Sequence, residues 1–234
     1  MLKLKEYLSE YDYIGHFHTK KSKEADFWAG ESWRNELIDM LIKPADNILA
    51  NFANDKLGLV IADIPTFFRY NKIVDAWNEH LIAPEMNDLW QKMGMTKTID
   101  FNNFHTFVMS YGTFVWFKYD ALKPLFELNL TDNDVPAEPL PQNSILHAIE
   151  RLLVYIAWNE HYDFRISQNP IDITPFVDNK LYNERGDSAP HTYVDFTHMG
   201  GIKGAFKYIF VGPARAVKYI IKRTLEKMTH ERKG

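Results

Sequence analysis

The chain has 234 residues, enough for one good-sized domain or a domain with an appendage, and its 46% hydrophobic and 25% charged residues are those of an ordinary soluble protein. It has no cysteine, which excludes disulfides, thiolate chemistry and Cys-ligated zinc; no apolar run reaches transmembrane length and no signal-peptide pattern opens it, so it is expected neither to span a bilayer nor to leave the cytoplasm by the secretory route. The net charge of −4 is uneven: residues 203–234 hold nine Lys/Arg against two Glu, a local +7 that leaves −11 on the rest, and a basic tail on an acidic body suits an anionic surface.

Residues 1–11 read as a short amphipathic helix with Leu2, Leu4 and Leu8 inward. A strand follows, with His16 and His18 on one face, and Thr19, Lys20, Lys21 and Ser22 form a polar turn after it. Two imidazoles on one strand face suit a metal or a hydrogen bond to phosphate; a basic surface turn after an edge strand is the alternative. Ser32 is expected to cap a helix running to about residue 42, with Trp33, Leu37, Met40 and Leu41 apolar. Arg34 on that helix suits a bidentate phosphate clamp or a surface ion pair. Pro44 starts a second helix at its N1 position, to about residue 54. Residues 57–63 read as a buried strand ending at Asp63. Strand C-termini carry the chemistry in parallel α/β sheets, so Asp63 is a candidate ligand contact, or a cap of the turn at Pro65. Residues 71–93 are helical with Pro84 inside, which predicts a kink or a break; residues 101–109 read as a loop, with His105 a satisfied core or loop histidine.

The chain is organised around residues 111–165. A Gly-led run of β-formers at 111–118 predicts a strand, residues 120–128 a short helix capped by Asp120, and residues 131–141 an extended acidic loop fixed by three prolines. A long helix follows at about 142–158, with Ile145, Ile149, Leu152 and Ile156 as its core stripe, and then a return strand near 162–167. Glu138 arrives just ahead of that helix, where free N–H groups and the dipole keep a carboxylate ionised; it suits a base, an anchor for sugar hydroxyls, or a solvated loop acid. His147 and Arg151 share one side of the helix, flanked by Glu150: a polar wall of a cleft, an exposed charged face, or an ion pair of Glu150 with Arg151. Residues 168–202, rich in Pro and Gly, read as an irregular lid or linker. Residues 206–228 read as two amphipathic helices broken at Gly212-Pro213, suited to a membrane surface or to docking on the domain.

The quoted motifs resemble the rhamnan synthesis protein F family over about residues 11–167. They are His16-x-His18-Thr19-Lys20-Lys21-Ser22, Trp33-Arg34, Gly112-Thr113-Phe114-Val115-Trp116-Phe117-Lys118, Ala137-Glu138-Pro139-Leu140-Pro141 and His147-Ala148-Ile149-Glu150-Arg151. The resemblance implies a rhamnosyltransferase of cell-surface polysaccharide assembly and the distal half of a GT-A-like α/β fold: a small, partly parallel sheet with helices packed on it. It implies dTDP-rhamnose as donor and a lipid-linked polysaccharide as acceptor, at the cytoplasmic membrane surface. The residue roles that follow are Glu138 as catalytic base; His16, His18, Lys20, Lys21, Ser22 and Arg34 at the donor diphosphate; and Trp33, Asp63, His147, Glu150 and Arg151 in the acceptor cleft. A Mg²⁺ or Mn²⁺ ion is a candidate cofactor, though the strand end lacks the acidic pair that hard cations prefer. No nucleic-acid motif accompanies the basic tail. The expected organisation is a glycosyltransferase-like domain at 1–167, a connecting segment at 168–202 and basic helices at 203–234. The alternative is a non-catalytic acceptor-binding or membrane-docking part of a larger enzyme, lacking the strands that grip the nucleoside and self-associating through an exposed sheet edge.

Overall fold

Six consecutive apolar or small residues, Leu57–Ala62, form β2, and every one of them is buried. A strand buried on both faces belongs in the middle of a sheet covered on both sides. The computed structural model describes residues 1–18, 27–63, 65, 76–103, 108–137, 140–141, 143–167, 181–182, 217 and 221. With β1 (Ile14–His16), β3 (Val115–Phe117), β4 (Asp163–Ser167) and β5 (Leu181–Tyr182), β2 makes a five-stranded sheet in the order β1-β3-β2-β4-β5. β2 and β4 pair in parallel and the other pairs are antiparallel, so the fold is α/β with a mixed sheet.

The helices among the described residues are α1 (Lys5–Leu8), α2 (Phe27–Leu41), α3 (Ala45–Asn51), α4 (Ala76–Lys92), α5 (Lys123–Glu127) and α6 (Ile145–Asn159). Trp116 and Arg165 project from the same face of the sheet. The indole N–H of Trp116 donates to the Leu41 carbonyl at 2.8 Å, and Arg165 bonds Asn51, which sets α2 and α3 over that face. On the other face Phe117 stacks on Phe126 of α5, with ring centroids 6.0 Å apart.

Helix α6 packs on β2, β4 and α4 and is buried nearly all round, from Leu152 to Asn159 without interruption. Its polar groups are used internally. The buried Tyr155 hydroxyl accepts from the Val108 N–H at 3.0 Å. The Asn159 side-chain oxygen accepts from the N–H groups of Thr96 and Lys97, both at 3.0 Å. These bonds pin the turn after α4 to the end of α6.

Most expected elements are present, with corrected ends. Ser32 lies inside α2, which starts at Phe27, so it caps nothing; its hydroxyl donates to Glu36 at 3.2 Å. Pro44 is the N-cap of α3 and not N1, its carbonyl accepting the Ile48 N–H. Pro84 sits within the single helix α4. Tyr111–Thr113 is a 3₁₀ turn, so β3 keeps only three residues. Asp120 caps nothing, because a 3₁₀ turn at Tyr119–Leu122 with Lys118 at its N-cap leads into α5. The acidic loop holds another 3₁₀ turn, Asp132–Asp134, closed by a Thr131–Asp134 capping box. Leu4 is 54% exposed; Leu2 and Leu8 pack against the core. His105, the 168–202 lid or linker apart from β5, and the basic helices lie outside the described residues, except that Val217 and Ile221 are helical and more than half exposed.

Gly58 marks the tightest approach. A Cβ there would stand 2.5 Å from the Tyr162 Cβ and 2.7 Å from the Ala121 Cβ, atoms fixed to backbone that cannot swing aside. Gly58→Ala is expected to cost about 1–3 kcal/mol by overpacking. Tyr155→Phe, which strips the Val108 N–H of its acceptor, should also cost about 1–3 kcal/mol. Urea denaturation followed by circular dichroism checks both; an unchanged midpoint for Gly58→Ala would contradict this packing.

Candidate functional site

Strands β1, β2 and β4 run in one direction and β3 runs against them. The C-terminal ends of those three and the N-terminal end of β3 therefore share one edge of the sheet. The cross-strand row His16, Val115, Ile61, Ile166 lies next to it. His18 follows β1 at this edge, Asp63 follows β2, Gly112 and Thr113 precede β3, and Ser167 ends β4. Neighbouring strands are about 4.8 Å apart, so β1 and β2, with β3 between them, stand about 10 Å apart.

The turn before β3 is the hub. Gly112 and Thr113 both have left-handed backbone, with φ of 67° and 54°. Glycine adopts this readily; threonine does so only under constraint. The constraint comes from side chains of distant segments. The Gly112 N–H donates to the Glu150 carboxylate on α6. The Gly112 carbonyl accepts from His18 Nε2 and, at 2.7 Å, from the Thr113 hydroxyl. The Thr113 carbonyl accepts from His16 Nδ1 at 2.8 Å. Ser110, fully buried, donates its hydroxyl to the Glu150 carbonyl at 3.1 Å. On the open side of Gly112, an added Cβ would lie 3.2 Å from the Trp33 ring, 3.6 Å from His18 Nε2 and 3.8 Å from Leu37. His18 also packs edge-on to Phe114, with centroids 5.0 Å apart.

Burial holds the His16 ring below the usual histidine pKa of 6.5, with smaller lowering from the nearby positive groups, the chain's amino terminus and His18; the bond to Thr113 opposes them. The folded chain therefore binds fewer protons there than the unfolded chain, and this group's contribution to stability is lost as pH falls below about 6.5.

The structure thus brings together four of the expected site residues, His16, His18, Trp33 and Glu150, around the two-residue turn Gly112-Thr113. Arg151 adjoins them: its guanidinium lies 3.6 Å from the Glu150 carboxylate and donates to the His147 carbonyl at 3.0 Å. His147 is turned elsewhere. Its Nδ1 contacts the Ser144 hydroxyl at 2.9 Å and the Pro141 carbonyl at 3.0 Å, so it fixes the start of α6. Asp63 is 5% exposed at the same sheet edge, and its N–H extends the β2–β4 ladder to the Ser167 carbonyl at 2.9 Å. Arg34 follows Trp33 on α2; its Nε is buried with no hydrogen-bond partner and no ion pair among the described residues. Lys20, Lys21, Ser22 and Glu138 lie outside the described residues.

Two features escaped the sequence reading. Gly112 and Thr113 serve as a backbone binding unit, though a glycine ahead of a β-rich run was the available signal. Glu36, 1% exposed on α2, gave none, since an acid early in an expected helix suggests a solvated first turn.

The family described as rhamnan synthesis protein F matches residues 1–162, which takes in β1 to β3 and α1 to α6. No curated relative and no solved structure matches the chain.

Gly112→Ala is expected to cost roughly 1–2 kcal/mol, because it forces a Cβ into left-handed backbone against the Trp33 ring. Glu150→Ala, which removes the acceptor of the Gly112 N–H, should cost about 1–3 kcal/mol. Thermal unfolding measures both losses, and a Glu150→Ala protein as stable as the parent would remove Glu150 from this role.

Proposed function

This chain belongs to the rhamnan synthesis protein F family, and from that premise we propose that it transfers rhamnose from dTDP-rhamnose to a lipid-linked polysaccharide. In this reading it works as a glycosyltransferase at the inner face of the plasma membrane. The observation that carries the reading is the shared sheet edge. The C-terminal ends of three co-directional strands bring His16, His18 and Asp63 beside the Gly112 turn, inside the family match. Ligands of open α/β sheets bind beyond strand C-termini.

The reaction needs a base, a cationic cradle and alignment. A base takes the proton from an acceptor hydroxyl, the oxygen attacks the anomeric carbon in line, and the diphosphate leaves with the bonding electron pair. Glu138 is the proposed base. Lys20, Lys21 and Arg34 are proposed to neutralise the leaving diphosphate, with Ser22 beside them. In this reading these cationic side chains take the charge that develops on the leaving diphosphate. The +7 of residues 203–234 supports attraction to an anionic membrane surface. Among the described residues no helix is long and apolar enough to cross a membrane.

A second reading, a non-catalytic acceptor-binding or membrane-docking part of a larger enzyme, draws on β1. It lies at the sheet edge and among the described residues pairs only with β3, an arrangement that suits the addition of another strand, including that of a second copy.

Calorimetric titration with dTDP-rhamnose separates the two. Binding is expected, weakened at least about tenfold in the Lys20→Ala/Lys21→Ala double variant by loss of charge-assisted contacts. Absence of binding by folded protein would favour the second reading. Glu138→Gln is expected to cut transfer by about 10²–10⁴ with little change in donor affinity; full activity would remove Glu138 as base.

A further inference from the structure

The two histidines at the sheet edge present the wrong polarity to an anion. A carbonyl oxygen only accepts, so the His16 bond to the Thr113 carbonyl puts a proton on Nδ1, and the His18 bond to the Gly112 carbonyl puts a proton on Nε2. In neutral rings the remaining nitrogens, His16 Nε2 and His18 Nδ1, then carry lone pairs. Burial favours the neutral form of His16. His18 Nδ1 is buried with no hydrogen-bond partner among the described residues, and no described residue bonds His16 Nε2. The ring centroids are 6.4 Å apart, so the two acceptors belong to one small area. A lone pair attracts an O–H and repels an ionised phosphate oxygen.

We propose that His16 and His18 form a hydroxyl-recognition site that accepts hydrogen bonds from a sugar, and that they do not bind the diphosphate. This rests on the sugar-transfer reading above and deepens it: the histidines expected at the diphosphate serve the sugar, and the cationic work stays with Lys20, Lys21 and Arg34. A metal would also seek two such nitrogens, since ligating histidines donate their other N–H to a carbonyl. Zinc, however, takes at least three protein ligands, and the Glu150 carboxylate at the same turn already holds the Gly112 N–H. A sugar hydroxyl asks only for acceptors.

Two conservative substitutions test this while keeping the turn in place. His16→Asn retains an N–H where Nδ1 stood and removes Nε2. His18→Gln retains an N–H where Nε2 stood and removes Nδ1. Each is titrated with dTDP and with dTDP-rhamnose, and assayed for transfer. Affinity for dTDP, which has phosphates but no rhamnose, is expected to be unchanged, while one sugar-dependent parameter falls about 3- to 10-fold, the value of one lost hydrogen bond. A loss confined to dTDP-rhamnose affinity assigns the hydroxyl to the donor sugar. A loss confined to the acceptor KM assigns it to the acceptor. Weaker dTDP binding, Mn²⁺ or Zn²⁺ binding that disappears in the variants, or no change in any parameter would overturn the proposal.

Nitrogen-15 NMR of the histidine rings at pH 7 decides independently of transfer. His16 protonated on Nδ1 and His18 on Nε2 are expected, with both lone-pair nitrogens shifting when a rhamnose oligosaccharide is added. Imidazolium rings, opposite tautomers or absent shifts would overturn it. If the parent protein binds neither dTDP nor dTDP-rhamnose, the transfer reading fails, and the oligosaccharide titration still tests the histidines by itself.

Discussion

One two-residue turn, Gly112-Thr113, holds this structure to its site. The N–H of Gly112 goes to Glu150 on α6, the Gly112 carbonyl to His18 beyond β1, the next carbonyl to His16 on β1, and the open face of the glycine to Trp33 on α2. Left-handed backbone costs about 1–3 kcal/mol at a residue other than glycine, here Thr113. A single fully buried Leu or Ile contributes about 1.5–3 kcal/mol. Leu152, Leu153 and Ile156, all at 0% exposure on the same helix as Glu150, outweigh that strain. The helix that supplies the apolar anchorage therefore also supplies the carboxylate that holds the turn.

The direction of the strands gives this turn its importance. Because β3 runs against its neighbours, its beginning meets the ends of β1, β2 and β4. A bent, polar-rich turn there brings backbone acceptors to the edge where side chains from co-directional strands converge. Trp116 and Ser167 then tie the last residues of α2 to that edge, through the Leu41 and Met40 carbonyls at 2.8 Å and 2.6 Å. Helix α2 carries Trp33 and Arg34, so its packing on the sheet decides where both can reach.

How legible this was in the sequence depended on the range of the interactions. β2 was readable because six apolar or small residues in a row have one sensible place. The stripe of Ile145, Ile149, Leu152 and Ile156 gave α6 within a few residues, and β4 followed from alternation. Caps were misplaced. Ser32 and Asp120 are good capping residues by type, but helical and 3₁₀ turns begin ahead of them, driven by burial of neighbours such as Leu37 and Ala121. The 3₁₀ turn at Tyr111–Thr113 reads as strand because the β-forming run masks a conformation imposed from outside. Of the site, the histidine pair and the His147/Glu150/Arg151 side of α6 were visible as local patterns. That Glu150 and not His147 bonds the Gly112 turn was invisible. His16 and Thr113 stand 97 positions apart in the chain, and Gly112 and Glu150 38 apart, distances over which composition and period carry no signal.

Glycosyl transfer asks for two polarities side by side. The leaving diphosphate needs donors and positive charge; the sugar hydroxyls around the reacting carbon need acceptors. A histidine pair left free to titrate would blur the two, offering donors or acceptors according to pH. Here the Gly112 and Thr113 carbonyls take one ring N–H from each histidine, which fixes the bonded nitrogen as the donor, and burial of His16 disfavours its charged form. Under the proposed reading, the segment after β1 then changes sign over a few residues, from lone-pair acceptors at His16 and His18 to ammonium groups at Lys20 and Lys21. That order in the sequence is the order a nucleotide sugar presents, with hydroxyls on one side of the bond to be broken and phosphates on the other. The left-handed turn before β3 is what holds the acceptor half of that order in place.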